Sequence, residues 1–308
     1  MLITSSSISA MFSGFHAKFR EGYQAATPVY ERLATMAPST GEQETYAWMA
    51  DVPRFREWLG ERTYNNLAAH NYTLLNKDWE DSFAVPRNKI EDDSYGIFGS
   101  RFQALGEASR LWPDDMLLTA LEAGDTSLCY DGQYFFDTDH PTNLFDVNMG
   151  TQANLLTGAA LTQTTYYAAK AAMQKFKSES GEKMGIIPDL LIVPPALEKT
   201  AKEIIKADTI AQVFGSNTAA AAPSNVSKGD VDVMVWERLT SDTTWYLLCT
   251  KKPVKPFVFQ QRKAPEFVDK GTDSRDEDVF KRKQFLYGAD SRGNMGYSLW
   301  FLAIQNNA

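Results

Sequence analysis

The chain of 308 residues contains two cysteines, Cys129 and Cys249, and three histidines, His16, His70 and His140. Two thiols so far apart, each among apolar or aromatic neighbours, exclude a disulfide framework and fit a reducing compartment. No run approaches the eighteen or so apolar residues that a membrane span needs. The opening MLITSSSISAMFSGF has neither a basic start nor a long apolar run, so it does not read as a secretory signal. Positive charge is short as well. A net charge of −8 and a pI near 5.1 argue against a protein that grips nucleic acid through many phosphate contacts. The motifs of common enzymes are missing too: no phosphate-binding Gly-x-x-x-x-Gly-Lys-Ser/Thr, no dinucleotide Gly-x-Gly-x-x-Gly after a strand, no His-Glu-x-x-His and no Gly-x-Ser-x-Gly.

What is present begins with a segment of helical period, from Glu91 to Gly124. Tyr95, Phe98, Phe102 and Leu105 recur at intervals of three and four, one stripe of a helix, behind the acidic start Glu91-Asp92-Asp93-Ser94. Pro113 suits a first helical turn better than an interior, so a second helix is expected from Pro113 to Ala123, with Gly124 as its C-terminal cap. Residues 8 to 23 form another helix, whose face of Met11, Phe12, Phe15 and Phe19 is unusually aromatic and wants a surface to lie on, either its own domain or a neighbouring subunit.

Between these helices, Arg62 to Leu75 and Ser82 to Ile90 read as two strands joined by a polar turn from Asn76 to Asp81, a long hairpin carrying Tyr72 and Trp79. It alternates too poorly to have a core of its own and would be stable only against something else.

Asp137-Thr138-Asp139-His140-Pro141 is the cluster most suggestive of chemistry. Asp137, Asp139 and His140 could bind a metal or act as an acid/base pair, yet the same residue types build tight loops, through short side chains that bond nearby backbone. Downstream, we expect a helix from Leu155 to Phe176, a buried strand from Asp189 to Val193, a helix from Ala196 to Ala207, and a hairpin of Val231–Leu239 with Trp245–Thr250. Lys255 to Arg262 would follow as a strand, then a charged loop from Pro265 to Asp278, then strands Val279–Tyr287 and Tyr297–Ile304 around a turn from Gly288 to Gly296. Basic side chains concentrate late, including Lys251, Lys252, Lys255, Lys281, Arg282, Lys283 and Arg292. They could form a solvated face, half of a contact with another copy, or a weak nucleic-acid patch.

Three stretches then carry a resemblance: Gln133-Tyr-Phe-Phe-Asp-Thr-Asp-His-Pro141, Pro188-Asp-Leu-Leu-Ile-Val-Pro-Pro195, and Lys283-Gln-Phe-Leu-Tyr-Gly-Ala-Asp-Ser-Arg-Gly-Asn-Met-Gly-Tyr297. In this order the sequence resembles the major head subunits of Mu-like phages and prophages, within the Hong Kong 97-type capsid proteins of tailed bacteriophages. The resemblance implies an α+β fold with an N-terminal arm at 1–45, an extended loop at 46–93, a spine helix of the peripheral domain at 94–127, a mainly axial domain at 128–250, and late strands at 251–308 returning to the peripheral domain. It implies a virion shell of hexamers and pentamers assembled in the host bacterial cytoplasm, with no catalytic site, cofactor, metal or membrane. Expected partners are other copies of the chain, a separate scaffolding protein, a portal, a decoration protein, and DNA held only weakly. Met11, Phe12, Phe15, Phe19, Tyr72, Trp79, Lys281, Arg282 and Lys283 are the candidate subunit contacts. The other readings are a metal-dependent hydrolase built on Asp137, Asp139 and His140, and a decoration or tail protein.

Overall fold

A computed structural model describes residues 5–48, 70–92, 97–144, 146–158, 160–209, 224–270 and 277–307. In chain order the described elements are helices α1 (Ser5–Ala25) and α2 (Tyr30–Leu33), strands β1 (Ala34–Pro38), β2 (Gln43–Trp48), β3 (His70–Leu75) and β4 (Lys77–Pro86), then helices α3 (Arg87–Glu91) and α4 (Ile97–Glu122). The middle holds β5 (His140–Pro141), β6 (Thr151–Gln152), β7 (Leu155–Thr157), α5 (Gln163–Lys175), β8 (Leu190–Val193), α6 (Glu198–Lys206), β9 (Asp232–Val235) and β10 (Trp245–Leu248). The chain ends with β11 (Phe257–Lys270), α7 (Glu277–Arg282), β12 (Gln284–Tyr297) and β13 (Ala303–Asn307). The mixture is α+β, as expected.

Two larger sheets organise these elements. One runs β1-β11-β12-β4, the other β7-β13-β10-β8-β9. A first core joins the second sheet to the C-terminal half of α4 and to one end of the first sheet, through Leu117, Leu191, Leu247, Phe257 and Ile304. A second core lies at the other end, where Phe12 and Phe19 of α1 meet Phe102 and Leu105 of α4 over Phe267, Phe285 and Tyr287.

Helices α1 and α4 pack backbone to backbone. A β-carbon on Gly22 would sit 1.9 Å from the carbonyl oxygen of Gln103, and one on Gly106 would sit 2.0 Å from that of Phe19. Glycine is needed there for space.

The structure corrects several expectations. Helix α4 is one helix of 26 residues with Pro113 inside it. The proline withdraws one hydrogen bond, to the Ser109 carbonyl, but it is buried and the helix runs through, because each half is held by a core, Phe102 and Leu105 in the second and Met116, Leu117 and Leu121 in the first. Part of its expected start, 93–96 with Ser94 and Tyr95, lies outside the described residues. Gly124 lies in a 3-10 turn, Ala123–Asp125, and has no left-handed φ; a β-carbon there would meet the Phe136 ring at 2.4 Å.

The expected turn from Gly288 to Gly296 is strand: β12 is continuous, with β4 on one side and β11 on the other. Its glycines stand where neighbours press close, as at Gly293, where a β-carbon would lie 2.4 Å from the Gln260 carbonyl oxygen. Strand β11 likewise runs on through the expected charged loop to Lys270, absorbing Pro265 at a bulge between Gln261 and Glu266. Asn76 to Asp81 is not a hairpin turn; β3 pairs with β2, β4 pairs with β12, and Asn76 is the residue between them. Strand β9 pairs in parallel with β8, and β10 lies between β8 and β13, so 231–250 is no hairpin. Leu155–Thr157 is a strand beside β13, and the helix begins at Gln163, capped by the Thr162 hydroxyl.

Alanine at Gly22 or Gly106 has to push the two helices apart, at a cost of about 1–3 kcal/mol each. Gly14, also in α1, is different, since a β-carbon there would meet nothing within 4 Å. Gly14→Ala should therefore stabilise by up to about 1 kcal/mol through helix propensity. Denaturant midpoints of the three variants check the opposite signs.

Candidate assembly surfaces

The β2–β3 hairpin rests against β11 and β12 of the first sheet, and segment 49–69 between its strands lies outside the described residues. Its root is a polar knot. Gln260, on the central strand β11 and fully buried, accepts a hydrogen bond from the Tyr46 hydroxyl at 2.9 Å and donates to the Leu74 carbonyl at 3.1 Å and to Asn76 Oδ1 at 2.8 Å. Asn76 donates in turn to Ser39 Oγ at 2.8 Å and to the Gly41 carbonyl at 2.9 Å. Glu44 accepts from the backbone N–H groups of Thr40 at 2.7 Å and Gly41 at 3.2 Å, and from the Ser39 hydroxyl at 2.9 Å. Those donors, Thr40 first, hold its carboxyl below the usual range, whereas burial pushes the Tyr46 phenol up to about 12.

Tyr72 stands on β3 and Trp79 on β4. The Tyr72 ring packs half-buried on the first core, its hydroxyl 3.4 Å from the Tyr297 N–H, and Trp79 donates from Nε1 to the Gly293 carbonyl at 3.1 Å. Both serve the chain's own body. Between them, with Met116, Ala120, Leu128 and Met295, lies a surface groove of about 370 Å³, and Leu128 at its rim is 60% exposed.

The aromatic face of α1 also turns inward. Phe12 contacts Phe285 and Tyr287, Phe15 stacks on Phe102 with ring centres 4.0 Å apart, Phe19 packs on Phe267, and Met11 lies partly buried against the same core. Within one chain these side chains are spoken for. Where the chain turns from α1 into α2, Asp114 supplies the missing cap, its carboxylate accepting from the Val29 and Tyr30 N–H groups at 2.7–3.0 Å. Burial pushes that carboxyl up, against the pull of the same hydrogen bonds.

Lys281 and Arg282 close α7 on an exposed surface, and each has a partner within the chain. Lys283 adopts a left-handed φ of 52° and donates its N–H to the Val279 carbonyl at 3.1 Å, ending the helix. Three other late basic residues are paired within the chain: Lys263 with Asp290 at 2.6 Å, Arg292 with Asp78 at 3.3 Å, and Lys255 with the Glu31 carbonyl.

Asp137, Asp139 and His140 do come together, as a loop lock. His140 is fully buried, stacked on Trp300 at 4.1 Å, with Nδ1 2.6 Å from Asp131 Oδ2 and Nε2 3.1 Å from Asn154 Oδ1. Asn154 Nδ2 donates to the carbonyls of Phe135, Trp300 and Ala303 at 2.7–3.2 Å. Both ring nitrogens are therefore engaged. Asp137 accepts from the N–H groups of Thr138 at 2.7 Å and Tyr134 at 3.2 Å. Asp139 is exposed, and its carboxyl is raised by the hydrogen bond to Asp137. Among the described residues no group of three or more His, Cys, Asp or Glu is placed to hold a metal ion. Asn154, the centre of this lock, and Gln260 were missed in the sequence, where a lone amide beside a strand carries no signal.

The sequence matches the family described as Mu-like prophage major head subunit gpT, over residues 8–160, 151–239 and 224–308. It is 30% identical over 301 residues to the Mu-like prophage FluMu major head subunit of Haemophilus influenzae, covering 98% of this chain and 73% of that protein. With the major capsid protein of Escherichia phage Mu it shares 28% over 304 residues, covering 99% and 74%. The fold matches a chain of the bacteriophage JBD30 procapsid with a TM-score of 0.62 at 29% identity, over 98% of this chain and 75% of that one. A chain of the cyanophage P-SCSP1u capsid shares the fold, with a TM-score of 0.57 at 10% identity over 92% and 89%.

Replacing Asn154 with Ala strands three buried carbonyls and the His140 ring together, so a loss of at least about 3 kcal/mol is expected by urea denaturation. Serine at Phe12, Phe15 and Phe19 together removes part of the second core at about 3 kcal/mol or more per buried ring, and that variant should fail to fold by circular dichroism.

Proposed function

The chain belongs to the family of Mu-like prophage major head subunits, and we infer that it builds, with copies of itself, the icosahedral head shell that encloses phage DNA. The observation that carries this is the family match along nearly the whole chain together with the capsid fold. The subunit is a structural protein of the virion. A closed shell adds up many modest contacts, so no single interface has to be large.

Finer assignments are our reading. Residues 1–45 act as the arm, 46–93 as the extended loop, and 94–127 as the spine of the peripheral domain. Residues 128–250 form mainly the axial domain, which meets its neighbours around hexamer and pentamer axes; of 251–308, β11 and β12 return to the peripheral domain, while β13 completes the second sheet between β7 and β10. Assembly takes place in the host cytoplasm with a separate scaffolding protein and a portal, and a decoration protein binds the finished shell. What supports weak DNA contact is the net charge of −8, together with the pairing of Lys263 and Arg292 to carboxylates of the same chain. The Asp137–Asp139–His140 cluster serves as a loop lock rather than a hydrolytic centre, since His140 is buried with both nitrogens engaged. The arm helix belongs to its own subunit, and contact with neighbours falls to the extended loop.

Negative-stain electron microscopy of the expressed chain, alone and with its scaffolding protein, tests this. Closed shells of uniform diameter are expected. A chain that stays monomeric under every assembly condition overturns it.

A further inference from the structure

A two-stranded hairpin has no core of its own, so the angle at which β2 and β3 leave the body depends on what they meet there, with Tyr72 packed on the first core and Leu74 buried. That angle has to be set at the root. There the chain has placed a glutamine, a flexible polar residue, at full burial on a central strand, where an apolar side chain would be the ordinary choice. The Gln260 carboxamide reaches both hairpin strands: Tyr46 on β2 through its oxygen, and the Leu74 carbonyl at the end of β3 through its nitrogen. The same nitrogen also meets Asn76 Oδ1, at the residue where the chain leaves β3 for β4. A carboxamide has a planar head with donors on one side and an acceptor on the other, so satisfying all three fixes its orientation and theirs.

The surroundings remove the remaining freedom. Glu44 and Asn76 tie the turn from Ser39 to Gly41 to both strands. Asn294 on β12 donates to the Leu75 carbonyl at 2.9 Å. Gly293 admits the Gln260 backbone so closely that no side chain fits between them.

We propose that Gln260 is a positioning residue that aims the β2–β3 hairpin in the free subunit, before any neighbour is met. The aim matters to assembly only through the reading that the extended loop contacts a neighbour. The aim itself does not depend on that reading.

The test labels Asn71→Cys on β3 and Glu107→Cys on α4 with nitroxides in the full-length subunit; both positions are exposed, while Cys129 and Cys249 are buried. Pulsed electron resonance should give one narrow distance distribution in the parent and a distribution at least twofold wider in Gln260→Ala. Should Gln260→Ala fail to fold, Tyr46→Phe takes its place, deleting one hydroxyl and again expected to widen the distribution. An unchanged width in whichever variant folds overturns the proposal. Electron microscopy of the same variants separates the two readings: a wider distribution with a fall of threefold or more in closed shells supports both. A wider distribution with normal shells keeps the aiming role and removes the neighbour contact.

Discussion

Close approach of backbone to backbone is the constraint on which this subunit rests. Where α1 crosses α4, and where β12 passes β11, a main chain lies so near another that a β-carbon would overlap a carbonyl oxygen. Interiors packed this tightly admit few alternative arrangements. The α1–α4 contact brings Phe12, Phe15 and Phe19 down onto the β11–β12 surface and so creates the second core. The β11–β12 contact at Gly293 brings the buried glutamine up to the hairpin root. One steric rule thus decides both where the arm lies and where the extended loop begins.

The same rule explains which parts of the sequence could be read correctly. The aromatic stripe of α1, the stripe of α4 from Phe98 to Leu105, the buried run of β8 and the helix at α6 all announce themselves through side-chain period, because side chains decide those elements. Glycine and proline mislead where tertiary packing uses them for another purpose. Gly288, Gly293 and Gly296 look like a turn but sit in the longest strand pairings, and the left-handed φ that would have made them turns is absent. Pro113 looks like a helix start but lies within a helix held on both sides by core. Pro265 looks like a loop but occupies a bulge. Local sequence records what a residue permits, whereas these three cases turn on what a distant segment demands.

The polar interior was the least legible part. His140 stood out because histidine is scarce in this chain, yet its role depends on Asp131, Asn154 and Trp300, the last of them close to the other end of the chain. Asp114 gave no sign that it would cap a helix 84 residues earlier. Such groups are costly to bury unless every partner is present, so their value lies in the one arrangement that satisfies them all. They make the fold specific at the joints: Asp114 where the arm turns, Asn154 where the 128–141 segment meets the second sheet, and Gln260 where the hairpin departs.

That placement suits a protein that is built into a shell. A subunit with a net charge of −8 meets copies of the same charge, so long-range electrostatics opposes assembly and short-range fit has to carry it. Short-range fit is demanding about angle, since a hairpin several residues long converts a small tilt at its root into a displacement of several ångströms at its far end. The apolar part of the root, Tyr72 and Leu74, holds the hairpin by area, which is indifferent to small rotations; the buried carboxamide of Gln260 adds direction. Fixing the direction in the single subunit also removes an ordering cost from each association step, which a shell of weak contacts would otherwise meet at every copy added.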